Sequence, residues 1–271
     1  MVLELPSGWP TISLSVGGIH VKLACNDSNL VAGLTERYRD FQIKQDPVFS
    51  GVIELRSCQG PASPPSPRMV FRDRILYFTD DDFKGYIDEG GGCGQLEVQS
   101  SHPGDSVDYF LRAIYALLAF RAGGLMFHAA GIVRDGRAYL FYGHSGSGKT
   151  TVARLSAGDL ILNDDLVLLL PQDGAWQVHA TPFWNPTQVR PTRQSAPLAG
   201  MYRLMQSKEV FLRRMGAAQA LAEMISNVPI IPEDKSRSSE LLIRGVGLLE
   251  TVPAYQLYFL PDDSFWNVIK P

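Results

Sequence analysis

A lysine and a threonine close a glycine-rich stretch of the chain, residues 143–150, which reads GHSGSGKT. This stretch fits the pattern G-x-x-x-x-G-K-[ST]. Glycines allow backbone angles that turn successive amide groups toward one centre, where they can surround phosphate oxygens. A lysine at this offset can reach the β- and γ-phosphates of a nucleotide, and a threonine hydroxyl can ligate Mg²⁺. The pattern therefore predicts binding of a nucleoside triphosphate with Mg²⁺.

The residues assigned to the phosphate site are Gly143, His144, Ser145, Gly146, Ser147, Gly148, Lys149, Thr150 and Thr151. Among them Lys149 is also a candidate catalytic residue, and Thr150 is a candidate metal ligand. A helix that starts near Lys149 would add the positive end of its dipole to the site. The alternative is a glycine turn that only joins a strand to a helix. Such a turn would not require a Lys-Thr pair at this position.

Two adjacent carboxylates, Asp164 and Asp165, follow the next apolar run of the chain. Carboxylates beside a phosphate site can serve two needs, because one can hold the metal and the other can accept a proton from a nucleophile. We assign Asp164 to the metal and Asp165 to the base, and the reverse order stays open. In a regular strand the two neighbours would point to opposite faces, unless the strand breaks there. A polar loop between strands is the alternative.

His128 lies in the strand that is predicted to pair with the one entering the glycine stretch. This pairing places it near the phosphate site, where a histidine could tune the base or bind phosphate. A satisfied structural histidine is the alternative. We expect His144 to contribute only its backbone and His179 to be structural.

Arginines could complete the stabilisation of charge in a phosphate site. Arg190 and Arg193 lie on a proline-rich segment that could fold over the nucleotide or the acceptor. A solvated basic loop is the alternative. Arg244 is a weaker candidate.

The elements around the glycine stretch follow from apolar periodicity and turn residues. Asp135-Gly136 between two apolar runs predicts a hairpin whose second strand enters the stretch. The remaining predictions are a helix of about two turns from Lys149, a strand over 159–170, a helix over 214–228, and a charged, mobile loop over 232–239.

The first hundred residues differ from the rest of the chain in predicted secondary structure, because they are rich in strands. A hairpin is predicted over 11–25 with its turn at Gly17-Gly18, and a short helix over 27–41. A buried helix over 107–120, capped by Ser106, follows. We therefore predict an α/β fold with mixed sheets, in which a strand-rich region (1–104) that binds an acceptor or partner precedes a nucleotide-binding core (105–271).

Composition excludes several classes of function. The formal net charge is −3 with 20% charged residues, which does not indicate binding to nucleic acid. The most apolar stretch is too short to span a bilayer, and no signal peptide is visible in MVLELPSGWP. Three cysteines without a C-x-x-C pair favour neither a disulfide framework nor a zinc site. We expect a cytoplasmic protein that does not associate with membranes.

Two oddities narrow the class of nucleotide-binding protein. The strand that leads into the glycine stretch belongs to a hairpin, where a parallel βαβ unit would be usual. The acidic pair also follows Lys149 closely in the sequence. These features, carried by residues 127–169, resemble the HPr kinase/phosphorylase family, which shares its nucleotide-binding core with ATP-dependent phosphoenolpyruvate carboxykinase. The chain also resembles the short HPr-kinase-like proteins of peptide-maturation clusters.

The resemblance implies roles for several residues. His128 matches the family's active-site histidine, residues 143–150 match its phosphate loop, and Asp164 and Asp165 match its acidic pair. It implies an ATP-dependent kinase acting on a seryl hydroxyl of a peptide or protein, and a homo-oligomer. Two alternatives stay open: a kinase of a small hydroxyl metabolite such as free serine, and a module that binds nucleotide and peptide without catalysis.

Overall fold

The structure is a computed structural model, and it describes residues 4–56, 67–184 and 190–269. The chain divides into two compact units, Met1–Leu118 and Ala119–Pro271. The division falls in the last turn of the helix Pro103–Arg121, whereas the predicted boundary, between residues 104 and 105, lies in its first turn. Cys58 and residues 185–189, part of the proline-rich segment, lie outside the described residues; Cys25 and Cys93 are buried.

In the first unit, the described residues form one sheet of seven strands in the order β1-β2-β3-β7-β6-β5-β4. The parallel pairs are β2 with β3 and β3 with β7. The elements are β1 (Thr11–Val16), β2 (Ile19–Cys25), α1 (Ser28–Arg37), β3 (Phe49–Leu55), β4 (Arg68–Arg72), β5 (Ile75–Thr79), β6 (Phe83–Asp88), β7 (Cys93–Val98) and α2 (Pro103–Arg121).

Local signals explain the first elements of this unit. The predicted turn at Gly17-Gly18 joins β1 to β2, because both glycines have positive φ angles. The Asp27 side chain accepts a hydrogen bond from the amide of Leu30 at 2.7 Å and so caps α1. The predicted hairpin is confirmed. The helix predicted over 27–41 is shorter, since α1 ends at Arg37 and a 3-10 turn follows at Arg39–Phe41.

Helix α2 packs its aromatic side chains against the sheet of the first unit. The ring of Phe110 lies 5.8 Å from that of Phe78, and both are buried. The helix begins at Pro103, so the prediction of a cap at Ser106 is wrong: Ser106 is buried within the helix. Proline is well tolerated at the first position of a helix, where its missing amide costs no hydrogen bond.

In the second unit, eight strands of the described residues form a mixed sheet. Its elements are β8 (Leu125–Arg134), β9 (Arg137–Tyr142), α3 (Lys149–Leu155), β10 (Leu160–Asn163), β11 (Leu166–Gln172), β12 (Ala175–His179), β13 (Ser195–Gln206), β14 (Phe211–Arg214), α4 (Ala217–Ile225), α5 (Ser238–Thr251) and β15 (Ala254–Phe259).

Five of these strands form a closed circuit of pairings, β8-β9-β13-β12-β11 and back to β8. The circuit begins at the predicted hairpin, which is confirmed. Asp135 and Gly136 both have positive φ angles, 51° and 74°, as a two-residue turn between twisted strands requires. Strand β9 thus has a neighbour on both edges, and its end at Tyr142 is firmly placed.

A cluster of aromatic side chains holds α3 on this sheet. Phe141 of β9 packs against Trp266 with ring centroids 5.6 Å apart. The Trp266 indole donates a hydrogen bond to the Ser156 hydroxyl, just after α3, at 3.0 Å. Val152 of α3 is fully buried in the same cluster. The short helix is therefore held by tertiary packing, since an isolated helix of this length would not be stable.

Two predictions for this unit are wrong. The strand predicted over 159–170 is broken at Asp164 and Asp165, for a reason given below. The segment predicted as a mobile loop over 232–239 consists of two 3-10 turns and the start of α5. It is held by Arg237, which is 5% exposed and forms an ion pair with Asp234 at 2.7 Å.

The predicted fold class, an α/β fold with mixed sheets, is confirmed. Among the helices of the described ranges, none combines the length and the apolar character needed to cross a membrane.

Candidate functional site

The glycine loop, residues 143–150, leaves the sheet at the end of β9 and leads into α3. Two positions of the loop require glycine, because their φ angles are positive and a Cβ atom would collide with a neighbouring side chain. Gly148 has a φ of 110°, and a Cβ atom there would lie 2.6 Å from the ring of Phe259. Gly143 has a φ of 149°, and a Cβ atom there would lie 2.9 Å from the Ser147 hydroxyl oxygen. Larger residues at these positions would strain the loop.

The loop is held in its shape by side chains as well as by its own backbone. Gln206, at the end of β13, donates from Nε2 to the carbonyl of Gly146 at 2.9 Å. The ammonium group of Lys149 donates to the carbonyls of Gly143 at 2.8 Å and His144 at 3.4 Å. The Ser147 hydroxyl is buried and has no hydrogen-bond partner among the described residues. The loop is thus pre-formed around its lysine.

Asn163 breaks the strand that carries the acidic pair. Its Oδ1 accepts hydrogen bonds from the amides of Asp165 at 2.7 Å and Leu166 at 3.2 Å. Its Nδ2 donates to the carbonyls of Thr181 and Phe183. Asparagine side chains stabilise turns in this way. Strands β10 and β11 therefore run along the same edge of β8 with a turn between them, and regular alternation does not apply at the turn.

Because the strand breaks, Asp164 and Asp165 both line one cavity of about 400 Å³. The cavity also brings together most of the residues predicted for the site. Its lining consists of His128, Ser145, Gly146, Gly148, Lys149, Thr150, Thr151, Asp164 and Asp165. Gly143, His144 and Ser147 belong to the loop but do not line the cavity.

Asp164 is a buried carboxylate, 6% exposed. Burial raises the pKa of Asp164, a hydrogen bond from the Thr150 hydroxyl opposes the shift, and the negative charge of Asp165 adds to it. Its Oδ2 atom has no hydrogen-bond partner among the described residues. A buried oxygen without a partner is costly, so this atom is suited to a ligand that the protein itself does not supply.

His128 and Asp165 face each other across the β8–β11 pairing. His128 is the register partner of Leu166, next to Asp165. The Nε2 atom of His128 lies 3.0 Å from Oδ1 of Asp165, and both side chains are partly exposed to the cavity. A histidine at this distance can orient the carboxylate and exchange a proton with it.

Lys149 and the two carboxylates influence each other electrostatically. Burial lowers the pKa of Lys149, and the charges of Asp165 and Asp164 partly oppose this shift. The two carboxylates offset only part of the desolvation of this half-buried ammonium group, so it can attract further negative charge. The cavity thus has a cationic group and a carboxylate pair in one small volume.

The donors present fit Mg²⁺ and a nucleotide tail. Mg²⁺ prefers oxygen ligands, and the Thr150 hydroxyl and the unpartnered Oδ2 of Asp164 are such donors in one place. The glycine loop has the amide-rich, small-residue composition that phosphate oxygens require.

The other predicted residues lie elsewhere. Arg190, Arg193 and His179 do not line the cavity. Arg244 donates to the carbonyls of Phe120 and Gly124 and lies over the Phe120 ring at 3.9 Å, so it joins α5 to the last turn of α2 and the residues that follow it.

Sequence reasoning missed two residues that shape the loop, Gln206 and Phe259. They are register partners on the parallel strands β13 and β15, and each contacts a glycine of the loop. No local sequence signal identifies either residue, because each is more than fifty residues away in sequence from the glycine that it contacts. Asn163 did carry one, since asparagine before two aspartates is typical of a turn.

Comparisons with known proteins give a family and a distant structural likeness. The family model described as "SynChlorMet cassette protein ScmC" matches residues 106–271, more than half of the chain. The chain belongs to the ScmC family. This ScmC-family chain has no match among curated proteins.

Among solved structures, the ScmC-family chain is similar to the Hpr(Ser) kinase/phosphatase from Coxiella burnetii. The two share 12% sequence identity with a TM-score of 0.31, over 51% of this chain and 81% of that one. Because the TM-score is below 0.5, no property of that enzyme is transferred to this chain.

Proposed function

We propose that this ScmC-family protein is an ATP-dependent kinase that transfers the γ-phosphoryl group to a hydroxyl, and that the acceptor is a serine of a peptide or protein. One observation carries the proposal: the glycine loop and both carboxylates of the acidic pair line the same cavity. Phosphoryl transfer needs mainly positioning and stabilisation of charge, and these groups can supply both.

The glycine loop would hold the triphosphate through its amides. Lys149 would exchange its bonds to the carbonyls of Gly143 and His144 for bonds to the β- and γ-phosphate oxygens. This exchange costs little, because an ammonium group forms stronger hydrogen bonds with phosphate than with neutral carbonyls.

Thr150 and Asp164 would hold Mg²⁺, since Asp164 offers a buried oxygen without a partner and bonds to Thr150 through its carboxylate. When bound, Mg²⁺ neutralises negative charge on the β- and γ-phosphates.

Asp165 would act as the general base. It takes the proton of the acceptor hydroxyl while the acceptor oxygen bonds to the γ-phosphorus and the bond from that phosphorus to the bridging oxygen breaks. The products are the phosphate ester and ADP. His128, 3.0 Å from Asp165, orients the carboxylate and can share the proton.

The exposure of the base supports a large acceptor. The side chains of His128 and Asp165 are 46% and 31% exposed, so a serine on a peptide can reach the carboxylate. A kinase of a small metabolite would be expected to enclose its acceptor in a closed pocket.

The test is incubation of the full chain with γ-labelled ATP, Mg²⁺ and a mixture of serine-containing peptides, with free serine in a parallel reaction. Mass spectrometry should detect one added phosphate on a peptide, and Asp165→Asn should abolish it. Asp173→Asn, in the exposed turn before β12, is the matched control and should keep full activity. Nucleotide binding without any phosphorylated product would contradict the proposal and favour a binding module.

A further inference from the structure

The backbone amide of His128 is satisfied from outside the sheet. Strand β9 ends at Tyr142, the register partner of Ala129, so the chain turns into the glycine loop where the next partner would lie. The carbonyl of Asn227, just after α4, accepts the His128 amide at 2.8 Å instead. The segment after α4 therefore supplies one of the contacts that hold the β8 backbone at His128, beside its pairing with β11.

Helix α4 is itself fixed by an ion pair on the sheet. The Glu223 carboxylate of α4 lies 2.7 Å from the guanidinium of Arg203 on β13, and both side chains are largely buried. The Glu223 carbonyl accepts a hydrogen bond from the Asn227 side chain at 2.8 Å. A continuous series of contacts thus runs from Arg203 through Glu223 and Asn227 to the amide of His128.

The ion pair lies in a polar row on the face of the sheet away from the Phe141 cluster. Tyr142, Arg203 and Gln256 are register partners on three neighbouring strands. The Tyr142 hydroxyl, Oε1 of Gln256 and Nε of Arg203 are buried without hydrogen-bond partners among the described residues, so Glu223 offsets the charge of Arg203 as an ion pair and not through a hydrogen bond to Nε. An unpaired Arg203 would add a buried charge to this row, which is far costlier than an unpaired polar group. Glu223 is therefore the group that lets α4 dock here.

We propose that Glu223 is a positioning residue: by pairing with Arg203 it holds α4 where Asn227 fixes the His128 backbone, and so keeps His128 Nε2 against Asp165. The catalytic consequence rests on the proposed kinase function. The positioning itself does not, because it is a property of the protein without any ligand.

Amide hydrogen exchange measured by NMR tests the positioning directly. In Glu223→Gln the His128 amide should exchange about tenfold faster, the effect of losing roughly one charge-assisted contact. The amide of Ile132, in the same strand and paired with β9, should be unchanged. Glu233→Gln, an exposed carboxylate after α4, is the matched control and should change neither amide.

Activity then tests the consequence. Glu223→Gln should lower kcat about tenfold and leave KM for ATP unchanged, because the ion pair is on the far side of the sheet from the glycine loop. The double variant Arg203→Glu with Glu223→Arg restores an ion pair and should recover both the His128 exchange rate and kcat.

Two results would overturn the inference: an unchanged His128 amide in Glu223→Gln, or a rise that Ile132 shares equally, which would mean general destabilisation. If the wild-type chain shows no kinase activity, the exchange experiment still gives its own answer, so failure of the two proposals can be told apart.

Discussion

Two buried aspartates, one in each unit, have opposite surroundings. Asp108 of α2 accepts hydrogen bonds from the Tyr38 hydroxyl at 2.7 Å, from Arg112 at 2.6 Å and from Arg37 at 3.3 Å. Asp164 receives a hydrogen bond from Thr150, and its other oxygen is buried without a partner in the part of the chain that the structure describes.

The difference separates a carboxylate that stabilises the fold from one that is available to a ligand. The partners of Asp108 satisfy both of its oxygens and offset its charge, so removing it harms the fold. The protein does not complete the surroundings of Asp164, so removing it relieves a cost. Burial alone does not identify a functional carboxylate, whereas a missing partner does.

The largest expected effect is the loss of phosphoryl transfer on substitution of Asp165, the neighbour of Asp164. Asp165→Asn should reduce phosphoryl transfer by about 10²–10⁴-fold, since a general base contributes that much. Single-turnover kinetics with γ-labelled ATP measures the loss. Thermal stability should be nearly unchanged, and a variant that lost stability and activity together would instead place Asp165 with Asp108 as a structural residue.

The second-largest effect is expected at Asp108, the buried aspartate that stabilises the fold. Asp108→Ala should destabilise the protein by about 2–3 kcal/mol, because it leaves the Tyr38 hydroxyl buried without a partner and the two arginines are only partly screened by solvent. Urea denaturation measures the change, and Asp105→Ala, one turn earlier on α2, is the control. A change below that of the control would mean that Asp108 does not support the fold.

The opposite sign is expected for Asp164→Asn, which should stabilise the ligand-free protein at neutral pH by about 0.5–2 kcal/mol, the usual range of a single stabilising substitution. The pKa of Asp164 is raised in the fold, so the folded state binds this proton more tightly than the unfolded state. The contribution of Asp164 to stability is present at low pH and is lost as pH rises through the raised pKa.

Denaturation of both proteins across the acid range measures this difference. The stabilities of the wild type and Asp164→Asn should converge as pH falls and separate toward neutrality. A constant offset across that range would contradict a raised pKa in the folded state.

The smallest expected effect concerns the loop beside Asp164. Gln206→Ala removes one hydrogen bond to the Gly146 carbonyl and should weaken nucleotide binding about three- to tenfold, the net value of such a bond. Titration calorimetry with ATP and Mg²⁺ measures it. Gln219→Ala on the exposed side of α4 is the control, and equal affinities of the two variants would show that the bond does not shape the loop.

Local signals in the sequence predicted the parts of the molecule that depend on a few neighbouring residues. Asp135-Gly136 and Gly17-Gly18 each determine a turn by their backbone angles, and both hairpins were predicted correctly. The glycine loop was located for the same reason, because its pattern is contained in eight residues.

Features that depend on distant contacts were not predictable. Residues 232–239 were predicted as a mobile loop because they contain Pro232 and a run of polar residues. The buried Asp234–Arg237 pair that orders this segment before α5 has no local signature. The break at Asp164 required knowing that Asn163 would bond to its own backbone rather than continue the strand. The partner of the His128 amide comes from Asn227, about one hundred residues later.

The loop depends on side chains that are translated long after it. Phe259 fills the space beside Gly148, and Gln206 holds Gly146. A nascent chain on the ribosome in which β15 has not yet been synthesised therefore contains the whole glycine motif. It lacks the strand whose side chain packs beside Gly148. Such an intermediate cannot hold the loop in its final shape until β15 has been synthesised.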